Sequence, residues 1–145
     1  MKHATVSEAH DLQQQGHTYV DVRSTVEFAQ GHPAGAVNVP LLEPDERTGQ
    51  MAPNPDFMRV MTTVFPRDAK LLLGCQSGGR SMRAGMMLEA SGFGDVTNVR
   101  GGFAGSGGAF GGGDPGWAPS GLPVDTEDEP GAGYQAILDK ADANS

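Results

Sequence analysis

The chain has one cysteine, Cys75, in the stretch LLLGCQSGGRS that runs from Leu71 to Ser81. The continuous apolar run before it predicts a strand, Lys70 to Gly74, buried on both faces. A helix is expected from about Ser81 onward. Between the two, Cys75 to Arg80 must turn tightly, and Gly78 and Gly79 accept backbone angles that other residues resist. The successive N–H groups of Gln76, Ser77, Gly78, Gly79 and Arg80 then form an inward-facing nest. The helix behind adds about half a positive charge at its N-terminus, and Arg80 adds a full one if it points inward. The result is an anion cradle around a sulfur. It favours the thiolate and holds an anionic substrate against it. Such a thiolate is a nucleophile toward sulfane sulfur, phosphate or arsenate. The competing reading is an inert buried cysteine, which the setting between a strand end, a Gly-Gly turn and a helix start disfavours.

Spacing separates these chemistries. Cysteine phosphatases and related arsenate reductases use C-x5-R, and counting from Cys75 that arginine would be residue 81. Residue 81 is Ser81, so Arg80 gives C-x4-R. The loop also holds no acid to protonate an alkoxide leaving group. It is one residue short for phosphate ester chemistry.

The loop must be positioned by the elements around it. VSEAHDLQQQG reads as a helix with Ser7 as N-cap and Gly16 as stop. Residues 18 to 22, TYVDV, read as a strand. Ser24 and Glu27 have capping-box spacing and open a short helix ending near Gly31. Ala36 to Val39 is a second strand. Residues 41 to 54 are polar with two prolines and read as a loop. Phe57, Val60, Met61 and Val64 share one helical face between Asp56 and Phe65. In the helix after the cysteine loop, Met82, Met86, Met87 and Ala90 recur at helical intervals and are expected as core filler, a soft binding surface being the alternative. Val96 to Val99 is the last strand. Residues 101 to 113 hold eight glycines, which predicts a mobile loop, with a lid over the site as the alternative. Tyr134 to Ala141 reads as a final short helix. Strands and helices alternate, which predicts an α/β fold with a central parallel sheet flanked by helices on both faces. Ligands of such sheets sit at the C-terminal strand ends, where Gly74 and Cys75 stand.

Composition bounds the function classes. The 145 residues suit one domain. The net charge of −8 argues against nucleic acid, which needs a basic patch. No run of 18 apolar residues is present, so no membrane span is expected. A single cysteine forms no internal disulfide, which suits a reducing cytoplasm, and MKHATVSEAHDLQQQG has no apolar stretch of the signal-peptide kind. Residues 114 to 145 carry seven acids against Lys140 alone. That segment is expected as a solvated surface, an acidic docking tail being the alternative. His3, His10 and His17 show no metal-ligand spacing.

Three pieces together resemble one family. LLLGCQSGGRS resembles the active-site loop of rhodanese-like sulfurtransferases. DVRSTVEFAQGHPAGAVNVP, residues 21 to 40, is similar to that family's N-terminal signature, and SGFGDVTNVRGGFAG, residues 91 to 105, to its C-terminal G-F-x-x-V-x-x-x-x-G-G pattern. The resemblance covers about residues 5 to 117 and implies a rhodanese-like domain over 1–117 with a glycine-rich insertion at 105–116, followed by an acidic, Pro/Gly-rich extension over 118–145. The family's closing tryptophan is absent at its usual place, so Trp117 is expected to do that packing with residues 105 to 116 looped out. The resemblance implies a thiosulfate sulfurtransferase: catalytic Cys75 takes sulfane sulfur from thiosulfate or a similar anionic donor as a persulfide and passes it to cyanide or a cellular thiol. Gln76, Ser77, Gly78, Gly79 and Arg80 would bind the substrate, with Arg83 as weaker help, and neither metal nor organic cofactor is needed. Asp21, Arg23 and Glu27 would form a polar cluster fixing the first loop, and His32 would be an orienting residue rather than a base. The alternative is a sulfur-carrier module in a relay, taking persulfide from a protein partner, with phosphatase or arsenate reductase behind it.

Overall fold

A computed structural model describes residues 1–107, 113–126 and 130–144. Its centre is a five-stranded parallel sheet in the order β1-β8-β7-β2-β4. The strands are β1 (Lys2–Ala4), β2 (Thr18–Asp21), β4 (Val37–Asn38), β7 (Lys70–Gly74) and β8 (Asp95–Val99). The middle strand is β7, and its side chains alternate between two cores. Leu71 and Leu73 pack with Phe57, Val60 and Met61 of α3 (Phe57–Val64), Ala84 and Leu88 of α4 (Gly79–Ala90), and Ile137 and Ala141 of α5 (Tyr134–Ala143). Leu72 faces the other way, toward Val6 and Ala9 of α1 (Val6–Gln14), Phe28 of α2 (Thr25–Gln30) and Trp117. Burial on both faces is why LLL runs without alternation, and the α/β architecture follows from it.

Several local features differ from the sequence reading. α1 is capped by Thr5, not Ser7. The Thr5 hydroxyl accepts from Glu8 N–H at 3.2 Å and the Glu8 carboxylate accepts from Thr5 N–H at 3.0 Å, a reciprocal box that satisfies two orphan donors. The strand β1 goes unpredicted because its three residues form a polar edge strand held by backbone pairing with β8. Residues 41 to 54 are not irregular: β5 (Leu42–Pro44) and β6 (Met51–Pro53) form an antiparallel hairpin, whose turn closes on Asp45 Oδ1 accepting from Arg47 and Thr48 N–H. The helix α4 starts at Gly79, two residues before Ser81. Its inner face is Ser81, Ala84, Gly85 and Leu88, so Met82, Met86 and Met87 are exposed rather than core.

The C-terminal segment folds back on the core. Val124–Asp125, β9, pairs antiparallel with His32–Pro33, β3. α5 packs against α3, with Asn54 Nδ2 donating to the Tyr134 hydroxyl at 3.1 Å. Glu127, Asp128 and Glu129, at the acidic centre of this segment, and residues 108 to 112 of the glycine-rich stretch lie outside the described residues. At the neck of that stretch, Ser106 N–H donates to Asp114 O at 3.1 Å and Asp114 N–H to Ser106 Oγ at 2.9 Å. Trp117 follows at once. It is fully buried, edge-on to Tyr19 and His10.

Candidate active site

The parallel register sets Asp21, the end of β2, beside Gly74, the end of β7, so the D-V-R segment and the cysteine loop leave the sheet side by side. Gly74 has no freedom to be another residue: a Cβ there would run into the Tyr19 hydroxyl. The chain then turns through Cys75 to Gly78, whose φ of 121° suits glycine, and enters α4.

Cys75 is 2 % exposed. Gly78 N–H donates to its sulfur at 3.0 Å, and Ser81 Oγ lies 3.4 Å from it. The sulfur thus sits at the N-terminal end of a 12-residue helix, whose first-turn N–H groups have no intrahelical acceptor and whose dipole favours negative charge. The loop's carbonyls are tied behind it: Cys75 O accepts from Phe103 N–H at 2.8 Å and Gln76 O from Ala104 N–H at 3.0 Å. Gly102 makes that contact feasible, because a Cβ there would run into the Cys75 carbonyl.

The flanking charges are arranged in pairs. Arg23 and Asp21 form a buried pair, with Arg23 Nε and Nη2 donating to the carboxylate at 3.0 and 2.7 Å. Arg23 also donates to Gln76 Oε1 at 3.1 Å and to Gly31 O at 2.7 Å, and its guanidinium lies over the Phe103 ring. This ties the first motif to the cysteine loop. Glu27 does not join that pair. It accepts from Arg80 Nη1 and Nη2 at 2.7 and 2.9 Å and closes the Ser24 capping box. The Arg80 hydrogen bonds hold the Glu27 carboxyl down at about 2, and Glu27 in turn raises Arg80. Arg80 therefore lies at the loop with its charge shared.

Two clefts meet the loop. One, of about 410 Å³, is lined by Ser77, Gly78, Gly79, His3 and Arg100 among others. A smaller one, of about 130 Å³, is lined by Gln76, Arg23, Glu27 and Phe103. Arg83 belongs to neither and borders a separate groove with Leu41, Phe57 and Met87. His32 is buried, stacked on Phe28 with ring centroids 3.6 Å apart, and its Nδ1–H donates to Phe28 O at 2.7 Å, which fixes the ring's orientation. Among the described residues no group of three His, Cys, Asp or Glu side chains has metal-binding geometry.

Sequence reasoning missed Ser81, Asn98 and His3. Ser81 Oγ donates to Asn98 Oδ1 at 2.7 Å, and Asn98 Nδ2 lies 3.4 Å from His3 Nδ1. The available signal was an asparagine between valines in the short strand DVTNV, since a polar residue buried in a sheet needs partners.

Comparison with known proteins agrees with this geometry. The model of the rhodanese-like domain family matches residues 5–107. Thiosulfate sulfurtransferase 16, chloroplastic, of Arabidopsis thaliana is 40% identical over 120 residues, covering 83% of this chain and 89% of that protein. Thiosulfate sulfurtransferase 18 of the same plant is 35% identical over 128 residues, covering 86% and 83%. Among solved structures, Rv0390 from M. tuberculosis superposes with a TM-score of 0.71 at 26% identity, covering 88% of this chain and 98% of that one.

Proposed function

This chain belongs to the rhodanese-like domain family, and within it we propose that it is a thiosulfate sulfurtransferase working through a persulfide on Cys75. The Gly78 N–H held 3.0 Å from the sulfur, at the open end of α4, carries this reading. In the first half-reaction the Cys75 thiolate attacks the outer sulfur of thiosulfate. The bond between the two sulfurs of the donor breaks, sulfite leaves with the electron pair, and a Cys75 persulfide forms. In the second, cyanide or a thiolate attacks the terminal sulfur and the Cys75 thiolate leaves, giving thiocyanate or a new persulfide. Both steps are two-electron displacements. The N–H groups from Gln76 to Arg80 receive the donor's oxygens and then the persulfide anion. A working thiol of this kind needs a reducing compartment, and the cytoplasm is the one proposed.

Intact mass of the reduced protein after incubation with thiosulfate tests the reading. A gain of one sulfur, absent in Cys75→Ser, is the expected result. No gain in the wild type, or the same gain in Cys75→Ser, overturns it. Phosphate esters and arsenate run beside it as controls for the C-x4-R argument, and turnover of either would reinstate that chemistry.

The Arg80–Glu27 pair favours a second reading. With Arg80 neutralised by a carboxylate, a small dianion gains less at the loop than a persulfide handed over by a protein or thiol. A sulfur-carrier module would load from a persulfide donor while turning over thiosulfate and cyanide slowly. The ratio of the two rates distinguishes the readings.

A further inference from the structure

The buried sulfur is connected to a surface imidazole. His3 and Asn98 are directly paired across β1 and β8, and Asn98 is paired with Leu73 on β7. Ser81 and Asn98 are 0 % and 2 % exposed. Their side chains form one line: Cys75 Sγ to Ser81 Oγ at 3.4 Å, Ser81 Oγ to Asn98 Oδ1 at 2.7 Å, Asn98 Nδ2 to His3 Nδ1 at 3.4 Å. We propose that His3, acting through Asn98 and Ser81, sets the charge state of the Cys75 sulfur, so that these three are positioning residues for the thiolate. The inference rests on the reading of Cys75 as the nucleophile.

The direction of each hydrogen bond carries the argument. With His3 neutral, its Nδ1 accepts from Asn98 Nδ2. Asn98 Oδ1 then accepts from the Ser81 hydroxyl, whose single proton is thereby committed. Ser81 Oγ has only lone pairs to offer the sulfur, and an acceptor favours the thiol. When His3 gains a proton at Nδ1, two N–H groups face each other. A half-turn of the Asn98 amide removes the clash: Oδ1 accepts from His3, and Nδ2 donates to Ser81 Oγ. Asn98 no longer accepts from Ser81, which leaves Gly78 O, at 3.1 Å, and the sulfur as acceptors. An anionic sulfur is the stronger acceptor, so the hydroxyl joins Gly78 N–H as a second donor to the thiolate.

The proton gained by His3 and the one lost by Cys75 exchange with water, so the pair stays neutral overall and no bond to carbon or sulfur changes. Other charges near His3 are Arg100 and Asp114 in the cleft it shares with the loop, and Lys2, Glu8 and Asp11 in the cleft on its other side. Those near the sulfur are the paired sets Asp21–Arg23 and Glu27–Arg80. Of these side-chain types, imidazole is the one whose ordinary charge change falls nearest neutral pH.

The test is the pH profile of Cys75 alkylation by iodoacetamide, measured for the wild type, His3→Gln, Asn98→Leu and the double variant. His3→Gln is expected to move the midpoint up by about half a unit or more, slowing alkylation about threefold below it. In the Asn98→Leu background the same change is expected to do nothing, because the connection is already cut. An unmoved profile in His3→Gln overturns the proposal. So does an equal shift in both backgrounds, which would mean that the imidazole acts through space. If Asn98→Leu does not fold, reciprocity supplies the second measurement: the NMR titration of the His3 ring must fall to lower pH in Cys75→Ser, and an unchanged midpoint overturns the proposal. Neither experiment uses a sulfur donor, so failure to form a persulfide and failure of this connection are separate results.

Discussion

Arg80 and Glu27 meet in a two-point ion pair at the mouth of the cysteine loop, Nη1 on Oε1 at 2.7 Å and Nη2 on Oε2 at 2.9 Å. The pair joins α4 to α2 across 53 residues of sequence and gives the arginine a planar partner. An incoming anion has to compete with that carboxylate or share the guanidinium with it.

Glu27→Gln releases Arg80 and keeps the Ser24 cap, because glutamine also closes a capping box. The expected outcome is a fall in KM for thiosulfate of roughly threefold or more, with a smaller effect on the acceptor. Arg80→Ala is expected to raise the same KM. Steady-state kinetics at two salt concentrations checks both, and unchanged thiosulfate kinetics in Arg80→Ala removes Arg80 from the donor site.

The same pair gives an acid limb to stability. Glu27 titrates at about 2 when folded, against an ordinary value of 4.5. A lowered folded value stabilises the fold fully above the ordinary value and loses that contribution as pH falls from about 4.5 to about 2. The carboxylate is partly solvated, so about 1 kcal/mol is expected after screening. Urea unfolding over this window should show the loss in the wild type and a shallower slope in Glu27→Gln.

Gly102→Ala places a methyl group against the Cys75 carbonyl at a φ of 57°. The obstacle is backbone, which cannot move without shifting the loop, so about 2–4 kcal/mol of destabilisation is expected. A thermal melt should fall by roughly 5–15 °C, and surviving protein should form persulfide slowly. Gly107→Ala meets nothing within 4 Å among the described residues and should change stability by less than about 0.5 kcal/mol.

The parts of this molecule that were legible in the sequence share a cause. The LLL strand, the Ser24–Glu27 box and the turn at Gly78 each follow from local rules of burial or capping, and the structure carries each of them, whereas Gly79 is already the first residue of α4. The cysteine loop was readable because strand, turn and helix start are contiguous. What escaped depends on partners far along the chain. The edge strand β1 is held by β8, whose paired residues lie 95 positions away, and nothing in Lys2-His3-Ala4 signals it. Arg80 finds Glu27, and Asn98 finds His3, only once the sheet order brings the strand ends together. The methionines of α4 have helical spacing, but periodicity does not say which face turns inward; Ala84, Gly85 and Leu88 decide that by packing closely on β7 and β8.

Trp117 sits in the second core with Tyr19, Phe28 and Leu72. It is fully buried, and its Nε1–H donates to Pro123 O at 2.7 Å. Trp117→Ala should cost about 3–5 kcal/mol, and Trp117→Phe less, losing the hydrogen bond and part of the volume. As the sole tryptophan, it also reports its own environment. A blue-shifted emission that moves red in step with loss of far-UV circular dichroism is expected, and red emission from the native protein would place the ring in water.

Arg23 links the D-V-R segment to the cysteine loop, through Asp21 on one side and Gln76 on the other. It is 3 % exposed, and among the described residues its guanidinium donates to the Asp21 carboxylate, the Gln76 amide and the Gly31 carbonyl and lies over the Phe103 ring. Arg23→Met removes the cation and leaves Asp21 buried with no counter-charge, a change expected to cost about 3–5 kcal/mol. Adding Asp21→Asn removes the stranded charge, so the double variant should recover part of that loss in urea unfolding. Persulfide formation should not recover with it, because Gln76 loses its 3.1 Å anchor in both variants. Recovery of stability and activity together would mean that Arg23 serves the fold alone and that the loop holds its shape without it.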